Sequence, residues 1–151
     1  MRLANLLGIV AREVKNLRYT NQKIDPKKMD LAWAGGLAGS PDEAEMIDAF
    51  VSRFGRLQDT VGDKLIPAML RLALEPVGSA IDNLNRAEKL GWLSSADVWQ
   101  DARLQRNRLV HEYLDQPEKF LAALLGVLDH VALLVETSEK MREYAREKLA
   151  V

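Results

Sequence analysis

The sequence predicts an all-α protein, an up-and-down bundle of about five helices forming one domain over residues 1–151. Three observations carry this. Apolar residues recur at three- and four-residue intervals, serine, proline and glycine fall where such runs begin and end, and no segment shows the two-residue alternation of a strand. With 48% of 151 residues hydrophobic, the chain fills one core and has no room for a second domain.

Leu3, Leu6, Leu7, Val10, Val14 and Leu17 define a first amphipathic helix reaching about Tyr19. Residues 20–39 hold Pro26, a lysine pair and Gly35-Gly36, which predict a loop with a short helical turn near Met29–Ala34. Ser40-Pro41-Asp42-Glu43 has the form of a capping box with proline at the first helical position. The helix it opens buries Ile47, Phe50, Phe54, Leu57 and Val61, and Pro67 is expected to kink or split it. Pro76 and Gly78 end the turns that follow. Ile81, Leu84, Ala87 and Leu90 form a short helix closed by Gly91 at positive φ. Ser94 and Asp97 read as a second capping box for a helix running to about Leu114, closed by Asp115-Gln116-Pro117. From Pro117, Phe120 to Val135 mark one long final helix with a charged tail.

Net charge is −1, which excludes a uniformly basic surface of the nonspecific nucleic-acid-binding kind. Any RNA contact must come from a local patch. Arg103, Arg106 and Arg108 are the one arginine cluster with no acid inside it. There is no cysteine, so disulfides, thiolate catalysis and cysteine-ligated zinc are excluded, and a cytoplasmic location is expected. The apolar run Leu6–Ala11 is followed at once by Arg12, Glu13 and Lys15, which marks a mature helix rather than a leader. Phe120–Val135 is interrupted by Asp129 and His130 and is too short to span a bilayer, so no membrane partner is expected.

Chemistry concentrates in Arg106-Asn107-Arg108-Leu109-Val110-His111-Glu112-Tyr113, which holds one of the two histidines. At about 100° per residue, Arg106 and Tyr113 lie roughly 20° apart, on a stripe with Trp99, Ala102, Leu109 and Val110. An arginine there needs an anion, a helix acid such as Asp101 or Glu112, or a partner chain. Asn107 and His111 are about 40° apart, close enough for the amide to orient the imidazole, whereas Arg106 and His111 are about 140° apart. One chain does not aim both at one atom. A two-fold dimer with this helix at its seam would, and Trp99 is the best candidate for that seam. The chemistry on offer is RNA cleavage without a metal or other cofactor. Histidine exchanges a proton with the 2′-hydroxyl or the leaving oxygen, and arginine stabilises charge on phosphorus. His111 has no acid pair at ligand spacing, and His130, on another helix, reads as a satisfied core or rim residue. Trp33 and Trp92 read as packing anchors; Lys140, Arg142, Arg146 and Lys148 on the charged tail are a second, weaker place for RNA phosphates.

Arg106, Asn107, His111 and Tyr113 in this order and spacing resemble the HEPN superfamily, and within it the HepT-like toxins. The resemblance extends through the order of helices over most of the chain. It implies a HEPN-like homodimeric bundle, an endoribonuclease toxin of a toxin-antitoxin pair with Arg106, Asn107 and His111 as catalytic residues, and Arg103 and Arg108 beside them against RNA. It also implies a minimal nucleotidyltransferase antitoxin that transfers AMP from ATP to Tyr113. A related branch, described as nucleotidyltransferase substrate-binding subunits, shares the bundle. It implies the alternative, a noncatalytic helical adaptor for such an enzyme.

Overall fold

A computed structural model describes residues 2–111, the last by its backbone alone, and 116–151. The expected helix end near Leu114, the turn from Asp115, and the assignments to Glu112 and Tyr113 lie outside the described residues. Every regular element within them is helical, as the apolar periodicity requires. They are α1 (Leu3–Asn21), α2 (Leu31–Gly35), α3 (Pro41–Asp59), a π turn (Thr60–Leu65), α4 (Ile66–Leu72), α5 (Ala80–Lys89), α6 (Ala96–His111), α7 (Pro117–Asp129) and α8 (Val131–Lys148). With α3 and α4 joined through the π turn, six long helical runs make the all-α bundle, against five expected.

The loop between α1 and α3 is more ordered than its composition predicts, because its aspartates cap short turns. Asp25 accepts the Lys27 N–H at 3.1 Å and Asp30 accepts the Trp33 N–H at 2.8 Å, which starts α2. The Ser40 capping box does not form. The Ser40 hydroxyl instead donates back to the Gly36 carbonyl at 3.4 Å, leaving Asp42 and Glu43 to complement the start of α3 by charge alone. At α6 the cap shifts by one residue from Ser94: the Ser95 Oγ accepts the Val98 N–H at 3.1 Å, and Glu88 accepts that of Ala96 at 2.7 Å. A capping box does form at Ser79 and Asp82. Gly91 ends α5 at φ +81, as expected.

Pro67 does not split its helix, which runs on from the π turn into α4. The wide π turn directly before it makes room where a proline ring would meet the carbonyl four residues back. The long last helix does break, at His130. Its ring Nδ1 lies 2.6 Å from the Gly126 carbonyl, the acceptor its own backbone N–H would use in an α-helix, and that N–H turns to Val127 at 3.0 Å. Because only this residue separates α7 from α8, Pro117–Lys148 is, contrary to expectation, long and apolar enough to cross a membrane by length and composition alone, with an 18-residue window of mean hydropathy 1.8. Phe120, Leu124, Val127, Val131 and Leu134 from this run are buried in the bundle.

One apolar cluster joins the long helices, with Phe50, Phe54, Trp92 and Trp99 its largest members. α1 packs chiefly on α3, and α6 lies between α7 on one side and α3 and α5 on the other. Each large side chain taken out of water contributes about 1.5–3 kcal/mol.

Glu13 is the exception in this interior. Its carboxylate is buried, Oε2 accepts the Thr60 hydroxyl at 3.2 Å at the start of the π turn, and Oε1 finds no partner among the described residues. Burial raises its pKa above the ordinary 4.5, opposed by the Thr60 hydrogen bond and the charges of Arg56, Lys64 and Arg12. An acid whose pKa is raised by folding stabilises the fold below its unfolded pKa and loses that contribution as pH rises through the folded value. Glu13→Gln is therefore expected to exceed wild type in urea midpoint at neutral pH and to converge with it near about pH 4. A constant difference between the two across that range contradicts the assignment.

Candidate functional site

The face of α6 that meets α3 carries Trp99, Ala102, Arg103, Arg106 and Leu109 at helical spacing. Opposite them, Gly55, Asp59, Gly62 and Asp63 share one face of α3 and the π turn. Gly55 gives room for the arginine: a Cβ there would stand 3.1 Å from Cδ of Arg106. Gly62 does the same for Trp99, whose Nε1 lies 3.5 Å from the corresponding point.

Arg106 is held at both ends of its guanidinium. Nη1 donates to Oδ1 of Asp59 at 2.7 Å and to the Gly55 carbonyl at 3.1 Å, while Nη2 donates to Oδ1 of Asn107 at 3.1 Å. The arginine side chain is only 12% exposed, against 49% for Asp59. An arginine in an apolar stripe does find an anion, but from the neighbouring helix. Asp101, expected as a partner within α6, accepts from Gln105 at 3.4 Å instead.

Arg103 repeats the pattern more loosely, 3.8 Å from Asp63 with both side chains well exposed. Two of the three clustered arginines thus face acids four residues apart on the opposing helix. Arg108 is exposed, as is Asn107. The Asn107 amide oxygen, expected to orient His111, is engaged by Arg106; the His111 side chain lies outside the described residues. His111 stands seven residues from Leu104, so its backbone is in register with the exposed side of α6.

Two expectations about α6 change. Trp99 is 2% exposed, packs against Gly62, and offers its carbonyl to Gln58 Nε2 at 3.2 Å, so it belongs to the chain's own core and not to a dimer seam. Val110 is 58% exposed, because one residue past Leu109 turns it about 100° out of the cleft. His130 and Trp33 keep structural roles, the former bound to the Gly126 carbonyl and the latter stacked on Phe120 at 6.5 Å. Among the described residues, no three His, Asp or Glu side chains gather as a metal site.

Asp59, Gly55 and Asp63 are site residues that the motif alone does not point to. Their spacing of four, then four, on one face opposite an arginine pair is the signal that finds them. A separate groove of about 450 Å³ lies between α1 and α8, floored by Leu7, Val10 and Val14, with Lys15, Arg18 and Arg142 at its edge. The Arg18–Glu139 pair, at 3.0 Å, closes on itself there. Comparison with protein-family models, with curated proteins and with solved structures finds no match for this chain.

The two ion pairs differ in burial and distance, and so in expected strength. A double-mutant cycle on Asp59→Ala and Arg106→Ala, read by urea denaturation, should give a coupling of about 1–2 kcal/mol, reduced from a fully buried pair by the exposure of Asp59. The Asp63 and Arg103 cycle should give less than about 0.5 kcal/mol. Equal couplings would remove the distinction.

Proposed function

We propose that this chain is a HEPN-type endoribonuclease toxin that cleaves RNA without a metal ion. Arg106 is the phosphate clamp and His111 the general acid or base. Asn107 is the residue that joins them, fixing Arg106 through its amide oxygen and standing one turn before His111. The observation that supports this most is the locked Arg106–Asn107 pair on the helix that carries His111. A guanidinium already oriented by Asp59, Gly55 and Asn107 needs no reorganisation when charge develops on phosphorus. These contacts take both hydrogens of Nη1 and one of Nη2, so a phosphate would use Nε–H and the second Nη2 hydrogen.

In the reaction, a base takes the 2′-hydroxyl proton, the oxygen attacks phosphorus, and the 5′-oxygen leaves with a proton from an acid. The positions of Arg106 and His111 stand about 140° apart around one helix, so the complete site takes two copies with α6 at the seam. A minimal nucleotidyltransferase is the antitoxin, and Tyr113 the residue to which it transfers AMP. A phosphate on that tyrosine would add negative charge to the motif, able to pair with Arg106 in place of an RNA phosphate.

One observation favours a second function. Asp59 already neutralises Arg106, as suits a helical adaptor that binds a nucleotidyltransferase without cutting RNA. The purified chain in excess chelator should cleave total RNA or tRNA, and His111→Ala and Arg106→Ala should each lower the rate at least about 100-fold while circular dichroism stays unchanged. Intact RNA with a folded wild-type chain sinks the nuclease proposal. Growth arrest on expression without a nucleotidyltransferase separates the toxin from the adaptor, which leaves growth untouched.

A further inference from the structure

The end of α4 places a leucine where both its backbone and its side chain are disfavoured. Leu74 has φ +59 and is 92% exposed. The turn is a Schellman motif: the Glu75 N–H donates to the Leu70 carbonyl at 2.9 Å, and the Leu74 N–H to that of Arg71 at 3.1 Å. Glycine is the usual residue at this position, since a Cβ is strained at positive φ. The same chain uses glycine at the equivalent end of α5, where Gly91 has φ +81.

Leu74 is also not alone. Leu72 is 52% exposed, Val77 38% and Ile81 60%, all within one tight α4–α5 connection. From Leu72 to Ile81 the only ionisable side chain is that of Glu75, in a protein where 28% of residues are charged. Four exposed apolar side chains within ten residues depart from the scattered single ones that a monomer's surface ordinarily carries. Strain on an exposed apolar residue, next to more exposed apolar residues, is returned only by burial against something outside the chain.

We infer that this α4–α5 corner, centred on Leu74, is a contact surface for a second copy of the same chain. The charges at its borders select that occupant. Exposed Arg71 stands at one end and exposed Asp82 at the other, with Glu75 between. A two-fold axis at Leu74 sets Arg71 of each copy against the acids of the other, because an isologous contact pairs each end with its opposite. An anionic lipid surface fits less well, since the two acids outnumber the arginine. As the apolar centre of a contact with a polar rim, the patch supports an interface at the small end of the specific class, about 1,200 Å² in total, and so a weak, reversible dimer. This contact is separate from the α6 seam and does not rest on RNA cleavage.

Leu74→Gly tests it without endangering the fold, because glycine relieves the positive-φ strain. The variant is expected to melt at a higher temperature than wild type. In sedimentation equilibrium from about 1 to 500 µM, the average mass of wild type should rise with concentration, and Leu74→Gly should weaken the association at this corner at least about tenfold. Arg71→Glu should weaken it several-fold at low salt and less at high salt. The absence of native cysteine gives a second readout. Leu74→Cys should form a disulfide-linked dimer on mild oxidation, while Tyr19→Cys, at an exposed position of α1, should not. A wild type whose mass does not rise with concentration, an association unchanged by Leu74→Gly, or cross-linking through Tyr19→Cys alone overturns the inference. Binding of wild type to anionic phospholipid vesicles without self-association overturns it as well.

Discussion

The contact between Arg106 and Asp59 ties the chemistry of α6 to the frame of the bundle. A guanidinium sunk to 12% exposure in an apolar stripe would be costly unpaired, and the bundle supplies a carboxylate, a carbonyl and an amide oxygen for it. That arrangement is eased by Gly55, since a Cβ there would stand 3.1 Å from the arginine's Cδ and push it by a few tenths of an ångström. The arrangement requires that α3 keep its rotational phase up to Asp59. The same helix face then presents Gly62 to Trp99 and Asp63 to Arg103, so one packed seam sets the angle of α6.

The π turn follows directly on that seam. The Thr60 hydroxyl at its start lies 3.2 Å from Oε2 of the buried Glu13 of α1 and 2.9 Å from the Arg56 carbonyl, sharing its one proton between the two acceptors. One segment therefore joins three helices: α1 through Glu13, α6 through Gly62 and Asp63, and α4 through Pro67, whose ring the wide turn accommodates. A widened turn is less favourable by itself than a regular one, and it persists here because packing on several sides supports it. Gln58 adds to the cross-link by donating to the Trp99 carbonyl.

Much of this was legible in the chain. Local signals predicted the helical class, the core faces of α1 and α3, proline at the start of α3, and glycine at the end of α5. Where they failed, a competing interaction of similar energy won. The Ser40 hydroxyl chose a carbonyl behind it over the N–H ahead, the His130 ring took a backbone acceptor and broke a helix, and Ser95 capped in place of Ser94. For Arg106 the sequence showed that an anion was required but not which one. Asp59 lies 47 residues away, and the choice depends on how two helices are phased against each other.

The same pairing bears on what Arg106 can do for an anion. A clamp must be pre-organised, and Asp59, Gly55 and Asn107 hold the arginine in one rotamer. They also supply a negative charge that any phosphate meets first. The balance turns on exposure: Asp59 is 49% exposed and solvated, so its attraction for the arginine is screened, while a phosphate bound over the remaining N–H donors would be partly desolvated and more strongly held. Asp59 then acts as a support beneath the guanidinium and not as a competitor for its outer edge. Enough attraction to hold RNA must still come from elsewhere, because Arg103 is matched to Asp63 and the chain as a whole carries a net charge of −1. Of the arginine cluster, Arg108 is the most exposed cation, and in the proposed dimer a second copy of α6 would double it. Under the nuclease proposal, the electrostatics would therefore lead to the same requirement as the 140° between the positions of Arg106 and His111: the proposed chemistry would take two chains.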